Sequence, residues 1–386
     1  MQRRTHQDRR QPRGFSLIEI LIVISILAAL VALSLTVLGT AGNAANVAAT
    51  RATITKVDAL LRDQLAGFNR TQGNPTTAAD LESKKSAAQS GFPQSSLEAS
   101  LSADTSINTS AELLYKIITE GRVTGATPVG EDAFNGSELA DTDGDGNLEL
   151  VDAWGNPLRF YRWPTRLLNP FGHIENATSA AVPLETESSP PPPPPYSNIP
   201  LDDATAFQNV LNVIQNTSNG GDANATIFVT IGDEIVEIDG VSGSELTVSK
   251  RGAAGTSAEA HHDGATVKLA PFPQLVSLLM GSLTVGGATQ DPDDPRGALH
   301  SAVEGGSLGY TVTGFEDEYH TLDSYHAPLI ISAGPDGILG LLEPYDESNK
   351  GNLAIPDTSN GSDLSTIVNP GSTALSDNIT NLSGGN

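Results

Sequence analysis

The chain has 386 residues, with 21 basic against 46 acidic side chains and a net charge of −25. That length suits one large domain or two ordinary ones, and a body so acidic repels nucleic acid and anionic lipid while attracting divalent cations, so no direct nucleic-acid binding is expected. Cysteine is absent, which excludes disulfides in any compartment, and 38 glycines with 24 prolines make the chain loop-rich.

The scarce basic residues crowd the start, where Arg3, Arg4, Arg9, Arg10 and Arg13 precede Gly14. From Phe15 to Leu38 the only polar residues are Ser16, Glu19, Ser25, Ser34 and Thr36. A helix of this length, at ~1.5 Å per residue, covers the ~30 Å hydrocarbon core of a bilayer. Arginines before it and an acidic body after it predict a single-pass segment with a cytoplasmic amino terminus and an external body. A secretory signal peptide has an apolar core of only ~7–15 residues, shorter than this run. A plain membrane anchor fits the length but gives Glu19 no role, although a charge at a helix centre costs ~2.5–3.5 kcal/mol.

The basic leader, Gly14, Phe15, and Glu19 as the fifth residue after the glycine resemble a type IV prepilin or a type II secretion system pseudopilin. The resemblance implies cleavage between Gly14 and Phe15 by a prepilin peptidase and N-methylation of Phe15. It also implies that Glu19 pairs with the terminal amine of a neighbouring subunit during assembly. A carboxylate and an ammonium, each costly in lipid, neutralise one another only in the correct register. The implied partners are other pilin-like subunits in a homo- or hetero-filament and an inner-membrane assembly platform. The body would then be periplasmic or part of an extracellular filament.

Between Ala41 and about Arg70, Val47, Ile54, Val57, Leu60, Leu61 and Leu65 recur at helical spacing, which predicts an amphipathic continuation. Gly39 and Gly42 predict a weak, kinked junction. In the resembled family this second half packs its apolar stripe on a sheet; a simple stalk uses the same residues. Residues 71–110 are polar and small, predicting short helices and loops, and Ala111–Gly121 predicts a helix stopped by Gly121.

The most pointed stretch of the body is DTDGDGNLELVDAWGNPLRFYRW, residues 141–163. Asp141, Asp143, Asp145, Asn147, Glu149 and Asp152 occupy the positions of a D-x-D-x-D-G calcium loop, with aspartate where glutamate usually closes it. Alternate carboxylates can converge on one hard cation, Gly146 permits the sharp turn, and a strand over Pro157–Trp163 follows instead of a helix. The reading is a calcium loop outside an EF-hand; a solvated acidic turn is its alternative. Asp152-Ala-Trp-Gly-Asn-Pro157 and Ile331-Ser-Ala-Gly-Pro-Asp-Gly337 also resemble segments of core secretion pseudopilins, which bind calcium near the second. That resemblance makes Asp336 a weaker metal candidate; a Pro-Asp-Gly turn explains the same residues.

Ser188–Tyr196 is a polyproline run, a stiff spacer or a groove-binding ligand. A short helix is expected over Ala204–Gln215. Apolar alternation in Ile227–Ile231, Ile235–Ile238 and Leu246–Val248, separated by Gly-Asp, Asp-Gly and Ser-Gly turns, predicts a small β-module. It resembles, loosely, short modules of phage tails and other surface proteins. Leu275–Leu283 predicts a buried helix, Asp291–Pro295 a turn, Phe315–His326 a packing edge, and residues 343–386 a loop-rich tail. The adjacent His261 and His262 suggest an exposed Gly/Ala loop. Without a nucleophile–base constellation or a catalytic motif, no enzyme is expected.

The predicted fold is α+β, with a long amino-terminal helix, transmembrane then amphipathic, packed on an antiparallel sheet that carries an inserted β-module. Its divisions are a leader at 1–14, helix halves at 15–38 and 39–70, and a pilin-like body at 71–175 and 273–342. A Pro-rich linker and β-module occupy 176–272, and the tail 343–386. The expected function is a pilin-like structural subunit of a type IV pilus or type II secretion-like pseudopilus, with bound calcium. Its alternative is a membrane-anchored extracytoplasmic binding or adhesion protein that never enters a filament.

Overall fold

The computed structural model describes residues 17–96, 98–99, 108–121, 125–165, 177–182, 197–216, 223–270, 291–322, 327–339, 341, 343–344 and 377–382. Gly14 and Phe15, the polyproline run, Leu275–Leu283, His326 and most of the tail lie outside them. The chain divides into two compact units, residues 1–48 and 49–386. Helix and antiparallel strand coexist in an α+β fold.

Helix α1, Leu17–Gln72, is continuous. The weak junction at Gly39 and Gly42 does not melt: each glycine costs about 1 kcal/mol against alanine, too little to end a helix whose ladder continues on both sides. In the second unit α1 buries Ile54, Val57, Leu61 and Phe68, one stripe at helical spacing. The stripe is met mainly by connecting segments. The Ala153 amide donates to Thr50 Oγ1 (3.0 Å), Gln64 donates to the Thr127 carbonyl (3.0 Å), and Asn381 donates to Asp58 (2.7 Å). At Gly67 the loop crosses so closely that an added Cβ would stand 2.6 Å from the Gly125 carbonyl oxygen. Phe68 meets Phe92 edge-on at 5.6 Å.

Helix α2, Ala78–Gly91, starts at Thr77, whose hydroxyl accepts from the Asp80 amide (3.2 Å) and donates to its carboxylate (2.6 Å). Helix α3, Thr109–Thr119, is buried on nearly every face. It packs against two short strands, β2 (Glu149–Leu150) and β3 (Arg159–Tyr161); among the described residues β1 (Leu139–Ala140) pairs with β2 alone. Strand β3 joins a three-stranded antiparallel sheet with β10 (Leu329–Ser332) and β11 (Ile379–Thr380), in the order β11-β10-β3. Registers are Leu329↔Tyr161 and Ile331↔Thr380. The tail thus supplies a strand where only loop was expected. A strand of two residues, Ile379 and Thr380, is too short to show alternation; the open edge of β10 recruits it.

Charge pairs between distant segments close this body. Arg159 grips Glu343 bidentately (3.0 and 3.0 Å), and Arg162 grips Glu98 (2.7 and 2.7 Å). Buried Lys85 bonds Asp291 (2.8 Å) and Asp293 (3.1 Å), beside Lys84, which also bonds Asp293 (2.7 Å). The Asp291–Pro295 turn is thereby anchored to α2. Two further helices, α5 (Ala298–Glu304) and α6 (Val312–Glu318), set Leu299, Val303 and Phe315 against Leu81, Trp163 and Tyr319.

Between these pieces stands a six-stranded antiparallel sheet. Its strands are β4 (Ala177–Ser179), β5 (Ile199–Pro200), β6 (Ile227–Ile231), β7 (Glu234–Ser242), β8 (Glu245–Lys250) and β9 (Ala265–Leu269), in the order β4-β9-β6-β7-β8-β5. Helix α4, Thr205–Ile214, packs Phe207, Leu211 and Ile214 into a core with Val229, Ile231, Val236 and Val267. Two-residue turns join β6 to β7 and β7 to β8, through Ile231↔Glu234 and Ser242↔Glu245. Alternation picks out these three strands, and β9 also alternates while pairing on both sides with β4 and β6; β4 and β5, three and two residues long, become strands by edge pairing.

Candidate functional site

The apolar segment comes first. The large side chains Leu17, Ile18, Leu21, Ile24 and Leu27 are all exposed, Leu17 at 82%. Ser25 turns its hydroxyl back to donate to the Ile22 carbonyl (2.8 Å), removing a polar group from this surface. Exposed apolar area on this scale marks a surface made for lipid or for other chains. Among the described residues no helix is long and apolar enough to cross a membrane. The described side chains of the run fall short of the ~20 apolar residues a crossing needs. The Glu19 side chain, like Gly14 and Phe15, is outside what is described.

The acidic loop is built from its own side chains. Asp141 accepts from the amides of Gly144 (2.7 Å) and Gly146 (3.2 Å), Asp143 from Asp145 (3.2 Å), and Asp145 from Asn147 (2.7 Å). These successive Asx turns wind the segment, and Gly144 and Gly146 take φ of 81° and 90°, values costly for other residues. The register Ala140↔Glu149 closes the loop and carries Glu149 inside, 0% exposed. Its Oε2 accepts from the Thr142 amide (2.5 Å), while Oε1 has no hydrogen-bond partner among the described residues. Burial raises the Glu149 pKa; the Thr142 hydrogen bonds oppose the shift, and the charges of Asp143 and Asp141 add to it.

One carboxylate oxygen each from Glu112, Asp143, Asp145 and Glu149 lies within 4.8 Å of the others. Opposite oxygens around a calcium ion stand about 4.6–5.2 Å apart, since each bond is ~2.3–2.6 Å, so the cluster fits an ion of that class. Glu112 comes from the first turn of α3 and is 4% exposed. One turn on, Lys116 donates to the Asn147 side-chain oxygen (2.8 Å) and stands 3.8 Å from Glu112.

The other three predicted ligands make hydrogen bonds of their own, Asp141 and Asn147 within the same loop and Asp152 beyond it. Asn147 turns its side-chain oxygen to Lys116 and donates its amide to Asp145 (2.6 Å), and Asp141 is engaged with the loop amides. Asp152, 2% exposed, is a buried structural acceptor. Its Oδ1 takes the amides of Trp154 and Asn156 (both 2.9 Å) and its Oδ2 the Ser332 hydroxyl (2.7 Å). With Asn156 donating to the Gly334 carbonyl (3.3 Å), the Trp-Gly-Asn-Pro turn is tied to the Ser-Ala-Gly-Pro-Asp-Gly segment far away in sequence. Asp336 accepts from the Ile338 amide (2.8 Å) within that turn. Near it Asp377 has its pKa raised by burial first and by the Asp336 charge second.

Nothing local marks Glu112: Glu112 and Lys116 read as an ordinary pair one turn apart on a helix. The histidines also have structural settings. His261 is drawn inside, correcting its expected exposure, because Glu234 accepts from its Nε2 (2.7 Å) and from Arg251 (2.7 and 2.8 Å). Burial pushes the Glu234 pKa up, but the Arg251 and His261 hydrogen bonds outweigh it and hold the carboxyl below its usual value. His320, also buried, faces Asp291 at 3.5 Å and stacks edge-on with Trp163.

Residues 9–35 match the family described as the prokaryotic N-terminal methylation motif. The match supports a type IV pilin-like or pseudopilin relationship and a prepilin-like processed subunit. No curated protein and no solved structure matches the chain.

Proposed function

We propose that the chain is a pilin-like structural subunit, cut by prepilin peptidase between Gly14 and Phe15, methylated at Phe15, and assembled into a type IV pilus or type II secretion-like pseudopilus. The observation that carries this is the methylation motif over residues 9–35, which from Leu17 onward lies on α1, whose described apolar side chains face outward. Before assembly the 15–38 segment spans the inner membrane once. In the filament it packs against its neighbours, where Glu19 neutralises the terminal amine of the adjacent subunit and sets the register. A calcium ion at the acidic loop stiffens a body that has no disulfide.

The mass and amino-terminal sequence of the protein from its own host test the proposal. An N-methylated Phe15 is expected; a retained leader with its arginines would sink it. A second reading, an anchored binding protein outside any filament, draws support from the six-stranded sheet with its own core. Glu19→Ala separates the two. The filament reading predicts normal membrane insertion and at least a tenfold loss of assembled subunit in sheared filament fractions; the anchor reading predicts no change.

A further inference from the structure

We propose that Glu112 of α3 is a ligand of the acidic-loop cation, so that the ion fastens residues 141–149 to α3, and that Lys116 is the internal cation it displaces. The proposal rests on the calcium reading of the loop for the identity of the ion. It departs from that reading in the ligand set, which becomes Glu112, Asp143, Asp145 and Glu149 in place of six positions along one loop.

Two independent observations support it. Four carboxylates from two separate elements bring one oxygen each within 4.8 Å. At the base of the cluster, fully buried Glu149 keeps Oε1 without a hydrogen-bond partner among the described residues. A buried carboxylate oxygen left without a donor is costly, and a cation is the group that satisfies it alongside three more carboxylates. The donor set is all oxygen, which suits calcium; magnesium prefers shorter bonds and retains several waters.

Lys116 is placed to respond. Its ammonium holds Asn147 of the loop at 2.8 Å and lies 3.8 Å from Glu112 of its own helix, bridging the two elements the ion would join. One positive charge offsets only part of the repulsion among four carboxylates, whereas a divalent ion offsets more and coordinates each of them. Binding therefore weakens the hold of Lys116 on Glu112 and replaces it with a direct ligand bond. Because α3 lies against β2 and β3, the ion stiffens the packed body as well as the loop.

Calcium titration of the full chain in detergent, by calorimetry with magnesium as control, tests this. Glu112→Gln is expected to weaken calcium binding at least tenfold, Asp152→Asn less than threefold, and Lys116→Met to tighten it several-fold. If Glu112→Gln binds like wild type while Asp152→Asn loses affinity, the single-loop ligand set stands and this proposal falls. If the wild-type chain takes up no calcium at millimolar concentration, the calcium reading falls with it. An unchanged affinity in Lys116→Met overturns the displacement. Should Glu112→Gln fail to fold, hydrogen exchange on the wild-type chain decides: calcium is expected to slow α3 amides, and protection confined to residues 141–149 overturns the proposal.

Discussion

The six-stranded module and the surrounding body solve the same problem of closing a fold without cysteine in different ways. In the module the buried charge cluster is local, with Glu234, Arg251 and His261 inside a single stretch of meander. In the body the equivalent contacts span the chain: Lys85 to Asp291, Arg162 to Glu98, Arg159 to Glu343. The module can thus be stabilised by neighbours in sequence, at little loop-closure cost, whereas the body is complete only when segments about 60 to 200 residues apart have met.

The sharpest way to break the comparison is to open the local cluster. Arg251→Met leaves the Glu234 carboxylate buried, with His261 and the Gly252 and Glu259 amides as its remaining partners. Removing one partner of a buried ion pair costs about 3–5 kcal/mol. Hydrogen exchange should show β6 to β8 losing protection while β10 keeps it; equal loss in both would mean that the two regions unfold as one.

Acid separates the regions by a smaller amount. His320 has its pKa lowered from 6.5 to about 3, by burial first and the Lys85 ammonium second, against the pull of Asp291. The unfolded chain therefore binds a proton that the folded body refuses. Stability from this site is complete above the unfolded pKa and is lost as pH falls below it, at about 1.4 kcal/mol per pH unit. Glu234, held below its usual value, contributes stability that is lost only as pH falls below the ordinary glutamate range. Between pH 6.5 and 5 the body should weaken by about 2 kcal/mol while the module holds, and His320→Leu should flatten that slope. Urea unfolding across this range provides the check, with the fluorescence of Trp154 and Trp163 reporting the body and hydrogen exchange of β6 to β8 the module.

Two smaller substitutions sharpen the picture of the body. Gly67→Ala places a Cβ 2.6 Å from the Gly125 carbonyl oxygen, and should cost about 1–3 kcal/mol in thermal unfolding as the loop is pushed off α1. Thr77→Ala removes the α2 cap and should cost about 0.5–2 kcal/mol. An unchanged melting temperature in either variant would contradict the corresponding contact.

The sequence by itself determined what depends on short-range pattern. The apolar helical run, its continuation through Ile54, Val57 and Leu61, the α3 helix and the β6–β8 meander follow from periodicity and turn chemistry over a few residues. The acidic loop was equally legible, because Asx turns and glycines at set spacing act within a dozen residues. The tertiary structure alone decided which acids meet. Glu112 joins Asp143, Asp145 and Glu149 because α3 packs beside the β1–β2 hairpin, and Asp152 leaves them because Ser332 and two amides claim its oxygens. It also made strands of Ala177–Ser179, Ile199–Pro200 and Ile379–Thr380, whose pairing comes from an open sheet edge. The physical reason is the same in each case: periodicity acts between neighbours along the chain, whereas ligand sets and edge pairs form between groups that only the folded core brings together.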